Sequence, residues 1–257
     1  MPLTPYPIDP VRLEGIAERY CRTTPPRLGY GLVRDFVDSV EHLPELATIS
    51  RDLKDPQRPW ILKAILGQVP RGGTILEIGA GDPHVAHWLS LLGYKVWIVD
   101  PYDGSGHGPI DYEFYREHFP SLRIIRKIFS DTLTELAPAG FDCVYSISVL
   151  EHIPHPALAS VIAGIRKFSR PGARTIHAVD HVLKGNGDQW HLQTLHLLAD
   201  GLGLPPDELT KVITAATDDT ETYFLSAESH NCWRGAQPYD AFPMRRCISV
   251  QFCSRIG

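Results

Sequence analysis

The stretch Ile75-Leu76-Glu77-Ile78-Gly79-Ala80-Gly81-Asp82-Pro83 decides how the rest of this 257-residue chain is read. An apolar strand ends in a carboxylate, a Gly-x-Gly turn follows, and a helix begins. Asp82 suits an N-cap and Pro83 the first helical position. A turn of this kind lets backbone approach a ligand where a Cβ would collide. Twenty-one residues past Gly79, a second apolar strand, Val96-Trp97-Ile98-Val99, ends in Asp100. In a βαβ unit a carboxylate at that point meets the two ribose hydroxyls of a nucleoside. The two strands together predict an adenosine-containing cofactor. A dinucleotide fingerprint requires a third glycine at position 84, which is His84, and Asp82 puts negative charge where a diphosphate would sit. These features count against an NAD-linked oxidoreductase. A nucleoside carrying a charged amino acid fits better, with Glu77 placed to pair with a cationic amine. S-adenosylmethionine is such a molecule.

Two later runs add to this. Phe141-Asp142-Cys143-Val144-Tyr145-Ser146-Ile147-Ser148-Val149-Leu150-Glu151-His152-Ile153 is an apolar strand that ends in a Glu-His pair, and Arg170-Pro171-Gly172-Ala173 precedes another strand. With Glu77-x-Gly79-x-Gly81 and Asp100, these runs resemble the motifs of class I, Rossmann-like S-adenosylmethionine-dependent methyltransferases. The first run is similar to the fourth-strand segment of that family, and the second to the turn before its fifth strand. The resemblance covers residues 59–182, and bacterial sugar and small-molecule O-methyltransferases are the members it points to. It implies an α/β fold with a seven-stranded, mostly parallel, doubly wound sheet. Pro83 stands where the family often has glycine. Proline is tolerated at the first helical position, so this reads as a variant.

Bulk properties set limits. The length suffices for one well-buried α/β domain with insertions, and the 43% hydrophobic content is that of a globular protein. The net charge is −5 and the isoelectric point about 6.2. No lysine-arginine run marks a nucleic-acid surface. Methyltransferases of base amines carry an Asn/Asp-Pro-Pro-aromatic run where this chain has Ser146-Ile147-Ser148-Val149. No apolar stretch reaches membrane-spanning length, and the first residues lack the pattern of a signal peptide. Five cysteines without a CxxC pair favour free thiols in a reducing, cytoplasmic setting. The expected partner is a small-molecule or saccharide acceptor, with no nucleic acid and no membrane. A homo-oligomer is left open.

The chain reads as one methyltransferase domain in four parts: a helical cap over 1–58, a cofactor-binding core over 59–182, a helical insert or lid over 183–220, and a final antiparallel strand pair over 221–257. Asp9 and Pro10 start a helix over Val11–Tyr20, and another follows at Leu32–Val40. The polar run Asp52–Arg58 precedes a helical spacing that begins at Trp60. Strands are predicted at Thr74–Ile78, Lys95–Val99, Leu122–Ile128, Cys143–Ser146 and Thr175–Ala178. Helices are predicted at Pro83–Leu92, Tyr112–His118 and Pro156–Phe168. One or two helices fall within Asp188–Ala216, and the runs Glu221–Ser226 and Cys247–Cys253 complete the sheet.

The cofactor residues expected are Glu77, Gly79, Ala80, Gly81, Asp100, Pro101, Tyr102, Asp131, Ser146 and Ser148. Tyr102 either packs on adenine or lies on the surface. Asp131 either meets the adenine amine or caps a short helix. Ser146 and Ser148, past the fourth strand, suit the methionine end. A hydroxyl acceptor benefits from a base, and histidine titrates in the right range. His152 or His181 is therefore the expected base, with Asp180 as its orienter. Asp180, His181 and His191 also allow part of a divalent metal site. His84, His87, His107 and His230 read as surface or packing residues. Tyr30, Trp190, Tyr223 and Trp233 are aromatics available to an acceptor pocket. The function expected is O-methylation of a sugar or other small molecule. The rivals are N- or carboxyl-methylation and a non-catalytic S-adenosylmethionine-binding subunit.

Overall fold

The computed structural model describes residues 5–105, 108–185, 187–226 and 247–257. In chain order the helices are α1 (Pro10–Tyr20), α2 (Val33–His42), α3 (Pro44–Ala47), α4 (Lys54–Gln68), α5 (His84–Leu91), α6 (Tyr112–His118), α7 (His155–Phe168), α8 (Asp188–Gly201) and α9 (Pro206–Asp218). The strands are β1 (Leu28–Tyr30), β2 (Thr74–Ile78), β3 (Lys95–Val99), β4 (Arg123–Ile125), β5 (Phe141–Ile147), β6 (Ser169–Val182) and β7 (Cys247–Arg255). They form one sheet in the order β1-β7-β6-β5-β2-β3-β4. The strands from β6 through β4 are parallel, and β7 runs antiparallel to both β6 and β1. After β2 the chain builds outward through β3 and β4, then returns to place β5 on the other side of β2. That reversal opens a crevice at the carboxyl ends of β2 and β5, where open α/β sheets bind ligands.

Two apolar layers cover the sheet. Ile75, Tyr145, Ile147, Ile176 and Ala178 face α1, α4 and α5. Leu76, Ile78, Val144, Val179, Val250 and Phe252 face α7, α8 and α9. Strand alternation then sorts the polar residues by face. Glu77, Asp180 and Ser249 lie on the α4 side. Ser146, His177 and His181 lie on the α7 side.

Most predicted elements form where expected, and the departures have local causes. α1 begins on Asp9, whose Oδ1 accepts the Val11 N–H at 2.9 Å. α5 starts one residue late, at His84, without a side-chain cap; Asp82 instead accepts a hydrogen bond from the Tyr115 hydroxyl. The strand expected over Leu122–Ile128 is only Arg123–Ile125. Arg170–Ala173 is not a turn before a strand but an irregularity within β6, where the register to β5 shifts and Gly172 has φ +80°.

Two corrections matter more. α4 begins at Lys54 rather than near Trp60, so the polar run expected to lie outside the helix forms its first turns. The Asp55 carboxylate organises that start by accepting the N–H groups of Ile49, Ser50 and Arg51 at 2.8–3.1 Å. The second correction concerns the sheet edge. Residues 221–226 give only the isolated bridges Leu32–Thr222 and Phe224–Ile248. The partner of β7 on that side is β1, from the segment expected to be a helical cap.

Candidate functional site

The glycine turn stands at the carboxyl end of β2. Gly79 has φ +68° and Gly81 φ +54°, both in the left-handed region that side chains disfavour. A Cβ on Gly79 would lie 2.7 Å from Val149 Cγ2, so the turn after β5 packs directly on it. Asp100 closes the turn from the next strand. Its Oδ2 accepts the Gly81 N–H at 2.9 Å and its Oδ1 accepts the Tyr102 N–H at 2.8 Å. Each carboxylate oxygen keeps a further lone pair for a ribose hydroxyl. Tyr102 is neither on the surface nor open to adenine. It is buried, and its hydroxyl donates to the Gly81 carbonyl at 3.1 Å, bracing the turn from behind. Ala80 and Pro101 are partly exposed beside it.

Beneath the turn, Glu77 is buried; its Oε2 has no hydrogen bond within 3.5 Å among the described residues, and the Tyr145 hydroxyl is near enough to favour its charged form. Burial pushes its pKa up to about 8, and the negative charge of Asp100 adds to the rise. The opposing positive charge is Arg58, near the start of α4. It is buried too, donates to Ser50 Oγ at 2.7 Å, and feels Asp52, Asp55, Asp82 and Glu77. Sequence reasoning missed Arg58 because it placed this run before the helix. Asp52, whose Oδ1 accepts the Lys54 N–H at 2.8 Å, was the available start signal. A buried carboxyl, a buried guanidinium and two left-handed glycines fit the zwitterionic end of S-adenosylmethionine.

The remaining expectations divide. Asp131 lies in the loop after β4, partly exposed, and accepts a hydrogen bond from Ser160 of α7. Ser146 does not lie past the strand. It is inside β5, fully buried, with its hydroxyl 2.8 Å from His177 Nδ1 on the face away from α4. Ser148 does reach the crevice. It has φ +52°, unusual for a residue with a side chain, and its Oγ lies 3.5 Å from Asp180 Oδ2.

Neither expected histidine joins this group. His152 is exposed on the 3₁₀ turn Leu150–His152. His181 is buried on the opposite sheet face, 6.3 Å ring to ring from His191, and burial pushes its pKa down to about 4. Glu151, the buried neighbour of His152, does join. Its Oε1 accepts the Asp180 N–H at 2.7 Å. Asp180 Oδ1 in turn accepts from Gln57 Nε2 of α4 at 2.9 Å. His191 Nδ1 lies 2.7 Å from the Asp180 carbonyl rather than on its carboxylate. Among the described residues no group of three or more His, Cys, Asp and Glu is placed to hold a metal ion.

His84 and His87 are buried packing residues. His107, His230 and Trp233 lie outside the described residues. Trp190 is exposed and stacks on the ring of His155 at 3.9 Å. Tyr30 donates to Asp219, and Tyr223 packs against Phe36. Among the described residues no helix is long and apolar enough to cross a membrane, and Cys21, Cys143 and Cys253 are free thiols.

A parallel sheet reversing at β2, a glycine turn and an acidic second-strand end define a Rossmann-like nucleoside-binding α/β protein. The methyltransferase domain family matches residues 51–201, more than half of the sequence, and the chain belongs to that family. It is an S-adenosylmethionine-dependent family. The chain is 30% identical over 104 residues to a ubiquinone biosynthesis O-methyltransferase of Nitrosococcus oceani, covering 40% of this chain and 42% of that protein. A Pseudomonas paraeruginosa protein of the same name is 27% identical over the same shares. The chain thus spans less than half the length of the curated relatives it matches. Among solved structures, Burkholderia thailandensis 1,6-didemethyltoxoflavin-N1-methyltransferase, with 1,6-didemethyltoxoflavin and S-adenosylhomocysteine bound, aligns over 99% of this chain and 93% of its own. The identity is 16% and the TM-score 0.47. Haemonchus contortus phosphoethanolamine N-methyltransferase 2 with S-adenosylmethionine covers 78% and 52% at 16% identity and a TM-score of 0.47.

Proposed function

We propose that this protein transfers the methyl group of S-adenosylmethionine to a hydroxyl oxygen of a small molecule, a sugar among the candidates. The observation that carries the donor is the buried Glu77 carboxyl beneath the Gly79–Gly81 turn, which feels the positive charge of Arg58. Glu77 would hold the ammonium group, Arg58 the carboxylate, Asp100 the ribose hydroxyls and Asp131 the adenine amine. The bound donor supplies a methyl group on a positively charged sulfur.

The protein's own work is to align an acceptor oxygen with that methyl, exclude water and remove a proton. On the α4 side the half-buried carboxylate beside Ser148 is Asp180, and we assign it the proton. The expected histidine base has no comparable position, because His152 is exposed and His181 is on the other face. An oxygen acceptor is favoured because a neutral hydroxyl must lose a proton to become a stable ether. A carboxylate acceptor needs no such group.

Calorimetric titration with S-adenosylhomocysteine, with NADH in parallel, tests the donor. Micromolar binding of the first and none of the second is expected. NADH binding alone would return the 75–100 region to a dehydrogenase reading. Labelled methyl transfer by Asp180→Asn, His152→Ala and His181→Ala then tests the proton acceptor. Asp180→Asn is expected to lose at least tenfold in kcat while the histidine variants stay within a few fold.

A further inference from the structure

Around Asp180 the fold gathers buried polar atoms that have nothing to bond. Gln57 comes from the second turn of α4, Glu151 from the 3₁₀ turn after β5, and Ser249 from β7. Gln57 is fully buried, and its Nε2 donates to Asp180 Oδ1 while its Oε1 has no partner. Glu151 is buried, with Oε1 on the Asp180 N–H and Oε2 without a partner. Ser249 stands opposite Asp180 in the antiparallel β6–β7 ladder, hence on the same face. It is fully buried and its Oγ has no partner. These statements hold among the described residues. Each such atom costs about 1–3 kcal/mol in a folded protein. Three of them belong to residues that neighbour Asp180, and such groups call for a polar partner.

Asp180 also stands beside the cofactor turn. Ser148 bridges toward Asp180 from the turn whose next residue, Val149, packs on Gly79. That turn therefore joins the cofactor loop to Asp180. The left-handed backbone at Ser148 is strain of the sort found where a side chain must be aimed.

The geometry points to a subsite for an uncharged polyhydroxylated acceptor, a pyranose ring or its like, with Gln57, Glu151 and Ser249 reading its hydroxyls and Asp180 facing the one that reacts. The assignment rests on the methyltransferase reading above. The complementarity is specific. Gln57 Oε1 only accepts, and Ser249 Oγ donates or accepts. Glu151 is pushed toward its neutral form by burial and by the charge of Asp180, so its free oxygen donates. Neighbouring hydroxyls satisfy all three at once. A hydrocarbon ring or an isoprenoid chain satisfies none. In the reaction, the hydroxyl proton passes to Asp180 while the oxygen–methyl bond forms and the methyl–sulfur bond breaks, its electron pair staying on sulfur.

The test uses the full chain saturated with S-adenosylhomocysteine. The methyl glycosides of glucose, mannose, galactose and rhamnose are titrated by ligand-observed NMR, with catechol and toluene as comparison probes. At least one glycoside is expected to bind more tightly than catechol, with toluene not binding. Ser249→Ala and Gln57→Leu are expected to weaken that glycoside at least tenfold while S-adenosylhomocysteine affinity changes less than twofold. Ser249→Ala deletes an unpartnered hydroxyl, so its Tm is expected not to fall, which separates acceptor binding from a packing role. Failure of every glycoside to bind, tighter binding of catechol, or full binding by both variants overturns the subsite and leaves buried water as the occupant. Failure of the wild-type chain to bind S-adenosylhomocysteine overturns the methyltransferase reading instead.

Discussion

Gly79 and Gly81 share a turn but meet different constraints. Both hold positive φ, so alanine at either position carries backbone strain of about 1–2 kcal/mol. At Gly81 the new Cβ would find ordinary contact, with Pro109 Cδ at 3.6 Å; at Gly79 it would strike Val149 at 2.7 Å. Gly79→Ala is therefore expected to lose roughly 1–3 kcal/mol more than Gly81→Ala. Urea unfolding of the two variants checks this, and equal losses would sink the argument. Glu77 makes a second prediction. It is protonated near neutrality in the free protein, and an arriving ammonium group favours its charged form. Binding of S-adenosylhomocysteine at pH 7 is expected to release up to about one proton. Calorimetry in phosphate and Tris would show different apparent enthalpies for wild type and nearly equal ones for Glu77→Gln.

Among the elements, α4 decides the most, since its first two turns carry Arg58 and Gln57 over the crevice. Its start depends on Asp55, which satisfies three backbone donors at once. Asp55→Ala is expected to lower stability by about 2–4 kcal/mol, since those donors would be left without an acceptor. It is also expected to weaken S-adenosylhomocysteine binding by freeing Arg58. A variant with an unchanged Tm would show that the loop finds other partners. This start was hard to read from sequence because Pro56 and Pro59 look like a break, yet prolines near an N-terminus forfeit few helical bonds. β1 was harder still. Leu28-Gly29-Tyr30 has no alternation to count, and only its pairing with β7 makes it a strand. The β2, β3 and β5 strands were legible because burial on both faces writes continuous apolar runs ending in acids or small residues. The cofactor turn came with them. Of the proposed acceptor side only Asp180 did, because Gln57 and Ser249 are far from it in sequence and meet it only through the α4 start and the β6–β7 register.

For the molecule as a whole, the buried ionisable groups predict a stability optimum. Glu77 has its pKa raised in the folded state, so the unfolded chain holds fewer protons between about pH 4.5 and 8. Stability therefore falls as pH rises through that window. His84 and His181, pushed down to about 4, and His177, to about 3, act oppositely. The unfolded chain takes up protons there below about pH 6.5, so stability falls on acidification. The ligand-free protein is expected to have its highest Tm near about pH 6. Glu77→Gln is expected to flatten the decline between pH 6 and 8, and an unaltered alkaline limb would refute the assignment.

The position of β7 between β1 and β6 also bears on synthesis. As the ribosome works forward, the parallel strands can assemble once β6 emerges, but β1 has no partner to pair with. It must wait, tethered, while the chain past β6 is made. Until residue 247 appears, the nascent chain carries an open strand slot on β6 and a loose strand seeking one. Such unpaired edges attract other chains. Chains stalled shortly before β7 should thus recruit holding chaperones more strongly than chains stalled just after it.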